Sequence, residues 1–452
     1  MVLYLIPSVG ARRLQSLIEF DPGIAYPRSL ALNLIATDVD DSIAKLAGKL
    51  AAEAARPNHA LDPYFYRSHL VHDLELEQLI FKSWIYALHE SEIPNPGDFQ
   101  LLEIGEDSLI IARASDGTLH AMHNICRHRG AAVCEDPCGN RSTFVCPYHG
   151  WVYNMDGSMR AAREMHVLPD FSPEAHGLKK LQLVAYMGLI FINCDPDAAD
   201  FLGPLEHLRK PLGAYRLNEA KVAHKQTYRI NANWKLVLEN YLECYHCATS
   251  HRAYAKLHTL KDLEEKVAPL VNAMLERSDA VTGVEGMSTA YRRIYLEAEG
   301  FGACSYTSRY GLFDGYLTGS RDGQPVAPLM GDIKGYDGGA GDYQMGPLTF
   351  MLNYPDHCVL YRFLPRTLTA TDVEIVWFVR GDAEPGVDYQ VDDLIWLWDH
   401  TTQEDEYIIM RNSKGVNSRF FEPGPYHPEF EETLKDFVHW YLHTLETNLE
   451  QH

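Results

Sequence analysis

Two short segments constrain this chain more than anything else in it: Cys126-Arg127-His128 and Cys146-Pro147-Tyr148-His149. Each carries one thiol and one imidazole, and 17 residues (129–145) separate them. Two loops built this way suit a binuclear [2Fe–2S] centre, with the thiolates on one iron and the imidazoles on the other. Neutral imidazoles leave the centre less negative than four thiolates would, so it accepts an electron more readily. Gly130 and Gly150 follow the two pairs, where the backbone must turn tightly under a cluster. A mononuclear Cys₂His₂ zinc site is the alternative. Zinc fingers, however, usually pair Cys with Cys and His with His. Cys134 and Cys138 in the intervening stretch read as incidental thiols.

A small β domain should carry these loops. Strands are expected at Phe99–Ile104, Ser108–Ala112 and Leu119–Asn124, punctuated by turns at Asp116-Gly117 and Asp156-Gly157. A helix is expected over 74–88 ahead of them. Leu183–Cys194 reads as buried strand, too short to span a membrane, and the domain is expected to end near Asp195-Pro196-Asp197. Within the leader, residues 1–60, helical periodicity runs over Asp41–Ala55. The remainder mixes helices (Trp234–Ser250 and a last one from Glu429) with alternating strands at Phe350–Leu364 and Val373–Arg380. The expected division is therefore 1–60, 61–197 and 198–452.

The second constellation is Glu239–His251, ENYLECYHCATSH. Non-haem oxygenases bind Fe(II) through two His and one carboxylate, leaving the opposite face open. His246 and His251 are the candidate imidazoles. Five residues apart on a regular helix they would sit roughly 140° apart, so the helix should widen or end between Cys247 and His251. Glu243 can orient one imidazole or bridge to another group, and Asn240 is a candidate polar neighbour of the metal or a packing residue. For the third ligand, Leu394, Trp398, Thr401, Asp405, Ile408 and Asn412 recur at helical steps. Asp405 falls on that largely apolar stripe, where a carboxylate is costly unless paired or metal-bound; an ion-paired or half-exposed Asp fits the spacing as well. Glu404 and Glu406 fall off the stripe and read as surface.

CRHRG followed by CPYHGWVYNMDG resembles the Rieske box of ring-hydroxylating and related oxygenases, and ENYLECYHCATSH resembles the helix that supplies their iron-binding histidines. The resemblance covers about residues 62–445. It implies an α+β chain: an N-terminal antiparallel β Rieske domain, then a helix-grip catalytic domain. It implies that Cys126, His128, Cys146 and His149 hold the [2Fe–2S] cluster, and that His246, His251 and the Asp405 of QEDEYII hold Fe²⁺. It implies that Glu243 links the iron to the neighbouring subunit through His149, in a head-to-tail homotrimer. Many ring dioxygenases carry Asp where this chain has Glu243.

No GxGxxG fingerprint is present, so the electrons should come from NAD(P)H through a separate reductase or ferredoxin. ECYHC and GVNSRFFEPGPY are similar to the subgroup acting on quaternary amines (glycine betaine, choline, carnitine, stachydrine), which implies N-methyl oxidation. Hydroxylation of an aromatic ring or aromatic carboxylate is the alternative, and a non-catalytic zinc module a further one. A quaternary ammonium calls for an aromatic cage, and Tyr291, Tyr295, Phe301, Tyr306, Tyr310, Phe313 and Tyr316 are its candidates. A net charge of −22 over 452 residues disfavours nucleic acid. Nine cysteines without a dense framework, two of them flanking His246, point to metals in a reducing compartment, and a cytoplasmic location is expected.

Overall fold

A computed structural model describes residues 41–289, 292–294 and 305–450. Most of the leader, residues 1–40, and the aromatic candidates Tyr291, Tyr295 and Phe301 lie outside the described residues.

Helix α1 (Ile43–Ala54) starts where Ser42 accepts the Lys45 N–H, and it buries Leu46 and Leu50. Helix α2 (His69–Glu75) continues through a π turn to Ile80. The helix expected over 74–88 stops there. Ile85–His89 is instead strand β1, buried along its whole length. Helical spacing does not distinguish a strand buried on both faces from a helix, and Ile-Tyr-Ala-Leu suits the strand.

Strands β2 (Asp98–Ile104), β3 (Asp107–Arg113), β4 (Leu119–His123) and β5 (Cys138–Asn140) form a sheet in the order β4-β3-β2-β5. Strands β6 (Thr143–Val145), β7 (Val152–Asn154) and β8 (Met159–Ala161) form a second. Between the two lie Phe99, Ile110, Met122, Phe144, Trp151 and Tyr153, a small core directly under the Cys/His loops. The apolar run at 183–194 is a hairpin, β9 (Gln182–Tyr186) and β10 (Leu189–Asn193), not one strand. Met187 and Gly188 both take positive φ, 53° and 84°, as a tight two-residue connection requires. Strand β10 then pairs with β1.

The second half is built on one antiparallel sheet. Strand β11 (Ala220–Ile230) precedes helices α3 (Trp234–Tyr241), α4 (Cys247–Ser250), α5 (Arg252–Leu257) and α6 (Glu264–Thr282). Strands β12 (Arg292–Ile294), β13 (Ser305–Gly311), β14 (Gly339–Met345), β15 (Thr349–Asn353), β16 (Cys358–Thr367) and β17 (Ala370–Arg380) follow, then helices α7 (Val391–Val416) and α8 (Glu432–Glu450). The sheet order is β11-β17-β16-β15-β14-β13-β12. Phe350, Tyr361, Phe363, Ile375 and Trp377 face one core, while Met351, Leu360, Val376 and Phe378 face another. Both faces are covered, so the central strands are buried throughout rather than alternating. Helix α8 begins at Glu432 rather than Glu429. Its stripe of Leu434, Phe437, Val438, Tyr441 and Leu445 is buried, whereas Phe430 lies before it and is half-buried.

The halves are joined through buried charge. Glu75 accepts from Lys235 Nζ (2.6 Å), Trp234 Nε1 (2.7 Å) and the Tyr441 hydroxyl (2.5 Å). One turn along α3, Glu239 accepts from the Tyr66 hydroxyl at 2.9 Å. Burial pushes the Glu239 carboxyl up from 4.5 to about 7, against the Tyr66 hydrogen bond and Lys235, which pull it down. A carboxyl raised on folding stabilises the fold below its unfolded pKa and loses that contribution as pH rises through the folded value. Raising the pH from about 4.5 to about 7 should therefore remove up to roughly 3 kcal/mol. Glu239→Gln should abolish this component: relative to the native chain, its unfolding free energy rises as pH increases over that interval. A difference between the two proteins that stays constant with pH would exclude the effect.

Candidate metal centres

The two Cys/His loops repeat one backbone pattern. Cys126 N–H donates to Ala131 O and Cys146 N–H to Trp151 O, both at 2.8 Å; Gly130 and Gly150 return to the carbonyls of Cys126 and Cys146, both at 3.0 Å. Both glycines take positive φ, 82° and 73°, the conformation that favours glycine. Cys126 and Cys146 are buried, whereas His128 and His149 are exposed, with their Nδ1 atoms 3.1 Å apart. Trp151 stacks on His128 and Tyr148 on His149. The Tyr153 hydroxyl lies 3.3 Å from Cys126 Sγ and accepts the Arg127 N–H. Burial raises the Cys146 thiol, and the adjoining Cys126 raises it further. A buried pair of soft sulfurs beside a pair of converging imidazoles is a donor set that fits a [2Fe–2S] group. Cys134 and Cys138 are both free thiols.

In the second centre, helix α3 ends at Tyr241 and the chain runs irregularly to Cys247. The expected break before His251 is present, since His251 takes φ −119° and ψ 77° between α4 and α5. A second break, over Leu242–His246, is an addition to the expected picture. The Glu243 carboxylate organises it, accepting the backbone N–H groups of Tyr245 and His246 and, at 2.6 Å, Nδ1–H of His246.

His246 Nε2 and His251 Nε2 face each other at 3.0 Å. Asp405 Oδ1 lies 3.4 Å from the first and 2.9 Å from the second. All three donor atoms fall within 4.8 Å of one another. Each imidazole gives its other nitrogen to a carboxylate, His246 to Glu243 and His251 to Glu404 at 2.9 Å. Both rings thus turn Nε2 toward the same point. Burial works to lower the His246 imidazole, but Asp405 and Glu243 outweigh it and raise it to about 9. Burial likewise works to raise Asp405, and the two histidines hold it below its usual value. Two imidazoles with their nitrogens converging among three carboxylates fit a dication. Asn240 Nδ2 reaches His246 Nε2 at 3.5 Å, the edge of hydrogen-bond range.

Three sequence expectations need correction. Glu404 is not simply surface: its carboxylate holds His251, and on its other oxygen it meets His400 at 3.3 Å. Its offset from the apolar stripe hid this, because the ring it holds enters from the junction of α4 and α5. Asn412, placed on that stripe, is exposed; the buried side of α7 runs through Leu394, Leu397, Trp398, Thr401, Thr402 and Ile409. The two cysteines flanking His246 are also not free thiols, since Cys244 and Cys247 are joined in a disulfide.

The fold and the two centres define a class, a Rieske protein with a second site of two imidazoles and a carboxylate suited to iron. The family comparison agrees. Residues 83–172 match the Rieske [2Fe-2S] domain, and residues 217–447 match the ring hydroxylating alpha subunit (catalytic domain). The chain belongs to the Rieske non-haem iron oxygenases as an alpha, or oxygenase, subunit. This family carries a Rieske [2Fe–2S] cluster and a catalytic mononuclear iron. The chain is 35% identical to the glycine betaine monooxygenase oxygenase subunit of Pseudomonas aeruginosa, over 85% of this chain and 89% of the relative. It is 31% identical to the corresponding Chromohalobacter salexigens subunit, over 94% and 95%. Among solved structures, a quaternary ammonium Rieske monooxygenase described with inter-subunit electron transfer shares the fold, at TM-score 0.66 and 20% identity, covering 86% of this chain and 97% of that one. Naphthalene 1,2-dioxygenase from Rhodococcus sp. shares it at TM-score 0.62 and 20% identity, covering 88% and 97%.

Removing the carboxylate behind His251 should loosen the metal without unfolding the domain. Glu404→Gln is expected to weaken iron binding by about 10–100-fold with the cluster absorption unchanged; unaltered iron affinity in a chelator titration would show that Glu404 does not hold the ring.

Proposed function

We propose that the chain oxidises an N-methyl group of a quaternary amine, as the oxygenase component of a system fed by NAD(P)H through a reductase or ferredoxin. The observation that carries this is the wall beside the His246–His251–Asp405 triad. Tyr254 lies 6.3 Å from the His251 ring, and Trp398 lies 5.7 Å from Tyr254 and 6.1 Å from Tyr361. Tyr310 and Tyr354 stand behind, about His258. A quaternary ammonium offers no N–H, and aromatic faces attract it through the ring quadrupole. Trp398 Nε1 and the Tyr241 hydroxyl are buried without a hydrogen-bond partner among the described residues, so a polar substrate has donors to satisfy. Of the aromatic residues expected from the sequence, Tyr310 belongs to this cluster, while Phe313 and Tyr316 lie under Lys261 and Lys256. The glycine betaine relatives named above support the same substrate class.

In this reading Cys126, His128, Cys146 and His149 hold the cluster, and His246, His251 and Asp405 the iron. An iron held there would supply O₂ activation, and a cluster held by the two Cys/His loops would supply its electrons. The chain's own residues do the rest. Glu243 and Glu404 fix the two imidazoles, the tyrosine and tryptophan faces orient the ammonium group, and the covered sheet excludes bulk water. Hydroxylation of an N-methyl group gives a carbinolamine, which releases formaldehyde and the demethylated amine. We further infer a homotrimer in which the exposed His149 of one copy meets Glu243 of the next, and a cytoplasmic location beside the reductase. Among the described residues no helix is long and apolar enough to cross a membrane. The three-part division at 1–60, 61–197 and 198–452 is retained as our proposal.

Aromatic-acid hydroxylation is the second reading, because 193 residues are 38% identical to the anthranilate 1,2-dioxygenase large subunit of Acinetobacter baylyi, over 40% of each chain. Oxygen uptake with a generic reductase separates the two: methylated amines should stimulate uptake and release formaldehyde, whereas a response confined to aromatic acids would reverse the assignment. Asp405→Ala should lose the mononuclear iron and keep the cluster spectrum; retention of both metals would show that another carboxylate is the ligand.

A further inference from the structure

The segment Cys244-Tyr245-His246-Cys247 places two sulfurs on either side of a proposed iron ligand. Cys244 and Cys247 are bonded, with Cα atoms 4.9 Å apart. Cys247 Sγ lies 4.0 Å from His246 Nε2, the nitrogen that faces His251 and Asp405. Cys244 Sγ lies 3.9 Å from the hydroxyl of Tyr254, a ring of the substrate wall. The pair therefore touches both the metal side and the substrate side of the site.

The stretch it closes is irregular backbone between two helices. Helix α4 spans only Cys247–Ser250, its N-cap His246 makes no side-chain capping bond, and α3 has already ended at Tyr241. A four-residue helix does not sustain itself. Leu242–His246 is held by the Glu243 carboxylate, by backbone bonds at its two ends (Leu242 N–H to Leu238 O, Ser250 N–H to His246 O) and from Cys247 N–H to Cys244 O at 3.2 Å, by the contacts of Tyr245 with His427 and Phe430, and by the disulfide. Disulfides in reducing compartments are characteristically transient or redox-sensing, and a Cys-x-x-Cys pair next to an oxygen-activating centre is placed to meet reduced oxygen species.

We propose that Cys244 and Cys247 form a reversible redox clasp on the iron site, oxidised by hydrogen peroxide and opened by a dithiol reductant. The step balances: two thiols and one H₂O₂ give one disulfide and two waters, with attack of one thiolate on the peroxide and of its neighbour on the resulting sulfenic acid. Opening transfers two electrons and two protons from the dithiol, through a mixed disulfide. The closed form holds His246 and Glu243 in the arrangement described above. The open form frees the loop and leaves a thiol beside the metal-facing nitrogen. The clasp regulates the site assigned under the proposed function and rests on His246 being an iron ligand.

The holoenzyme tests this directly. It is reduced with a phosphine, exchanged into buffer, and divided into peroxide-treated and untreated samples. Alkylation of free thiols followed by peptide mass spectrometry should show Cys244 and Cys247 labelled after reduction and protected as a pair after peroxide. Protection should reverse with a thioredoxin-type dithiol, while the exposed thiol Cys138 reports the general extent of labelling. Iron release to a chelator should be about tenfold faster, or more, from the open form. Cys244→Ser should release iron at the open-form rate with or without peroxide. Equal labelling of the pair in both samples, or equal release rates from wild-type open and closed forms, would overturn the clasp. The wild-type comparison needs no variant to fold, and the cluster absorption reports integrity throughout. If no iron is bound at the triad, the ligand assignment itself fails, an outcome read by metal analysis before any peroxide is added.

Discussion

Glu75 is the point on which the two halves of the molecule hang. It precedes the Rieske domain in sequence, yet its carboxylate is bonded to Lys235 and Trp234 at the start of α3 and to Tyr441 on the last helix. Glu75 and Lys235 are both fully buried. Neither charge could be left alone there, since removing one partner of a buried pair costs about 3–5 kcal/mol. The rings of Tyr66, Trp234 and Tyr441 surround the Lys235 ammonium. The first turn of α3 is thereby fixed against both termini of the described fold. This matters because α3 ends just before the Glu243–His246 turn. Anchoring at Trp234–Lys235 sets the helix axis, and the axis sets where the turn begins.

Beyond that anchor, the site is assembled by interruption rather than regularity. A continuous helix through 234–251 would have carried His246 and His251 to different faces. Two breaks, at Leu242–His246 and at His251, bring the rings edge to face with their Nε2 atoms 3.0 Å apart. The compensation for lost helical hydrogen bonds is local: Glu243 takes two backbone N–H groups and an imidazole N–H. The same carboxylate thus replaces backbone structure and selects the tautomer of His246. Glu404 does only the second of these, because α7 is continuous and needs no repair.

The contrast explains what could be read from residues alone. The Cys/His loops were legible because their chemistry is local: ligand, spacing and glycine lie within a few positions, and the backbone repeats itself in both. His246 and His251 were legible as a pair, and the geometric misfit of their spacing correctly required a break. Asp405 was visible as a carboxylate on an apolar stripe. Glu404 was not, since its partner comes from a break between two helices 153 residues earlier. The strand at Ile85–His89 was misread because burial on both faces erases the alternation that marks a strand. The Cys244–Cys247 bond was missed because cysteines in a reducing compartment are first taken for free thiols, which takes no account of a turn that brings them together.

Exposure divides the two centres in a way that bears on how electrons arrive. His128 and His149 sit at the surface, with Tyr148 stacked on His149 and Arg129 over the Tyr148 ring. His251 is 1% exposed, and the Asp405 side chain 23%. Glu243, whose side chain is 12% exposed, is a polar group in direct contact with the His246 ring. On the same turn Tyr245 is exposed and stacks with Phe430 and His427. In our proposal, the surface-exposed imidazole pair of one copy and the Glu243 carboxylate of another would form the two halves of a contact between subunits. In our reading, that is why the cluster can stand out in solvent while the oxidation it drives proceeds in a site shielded from water.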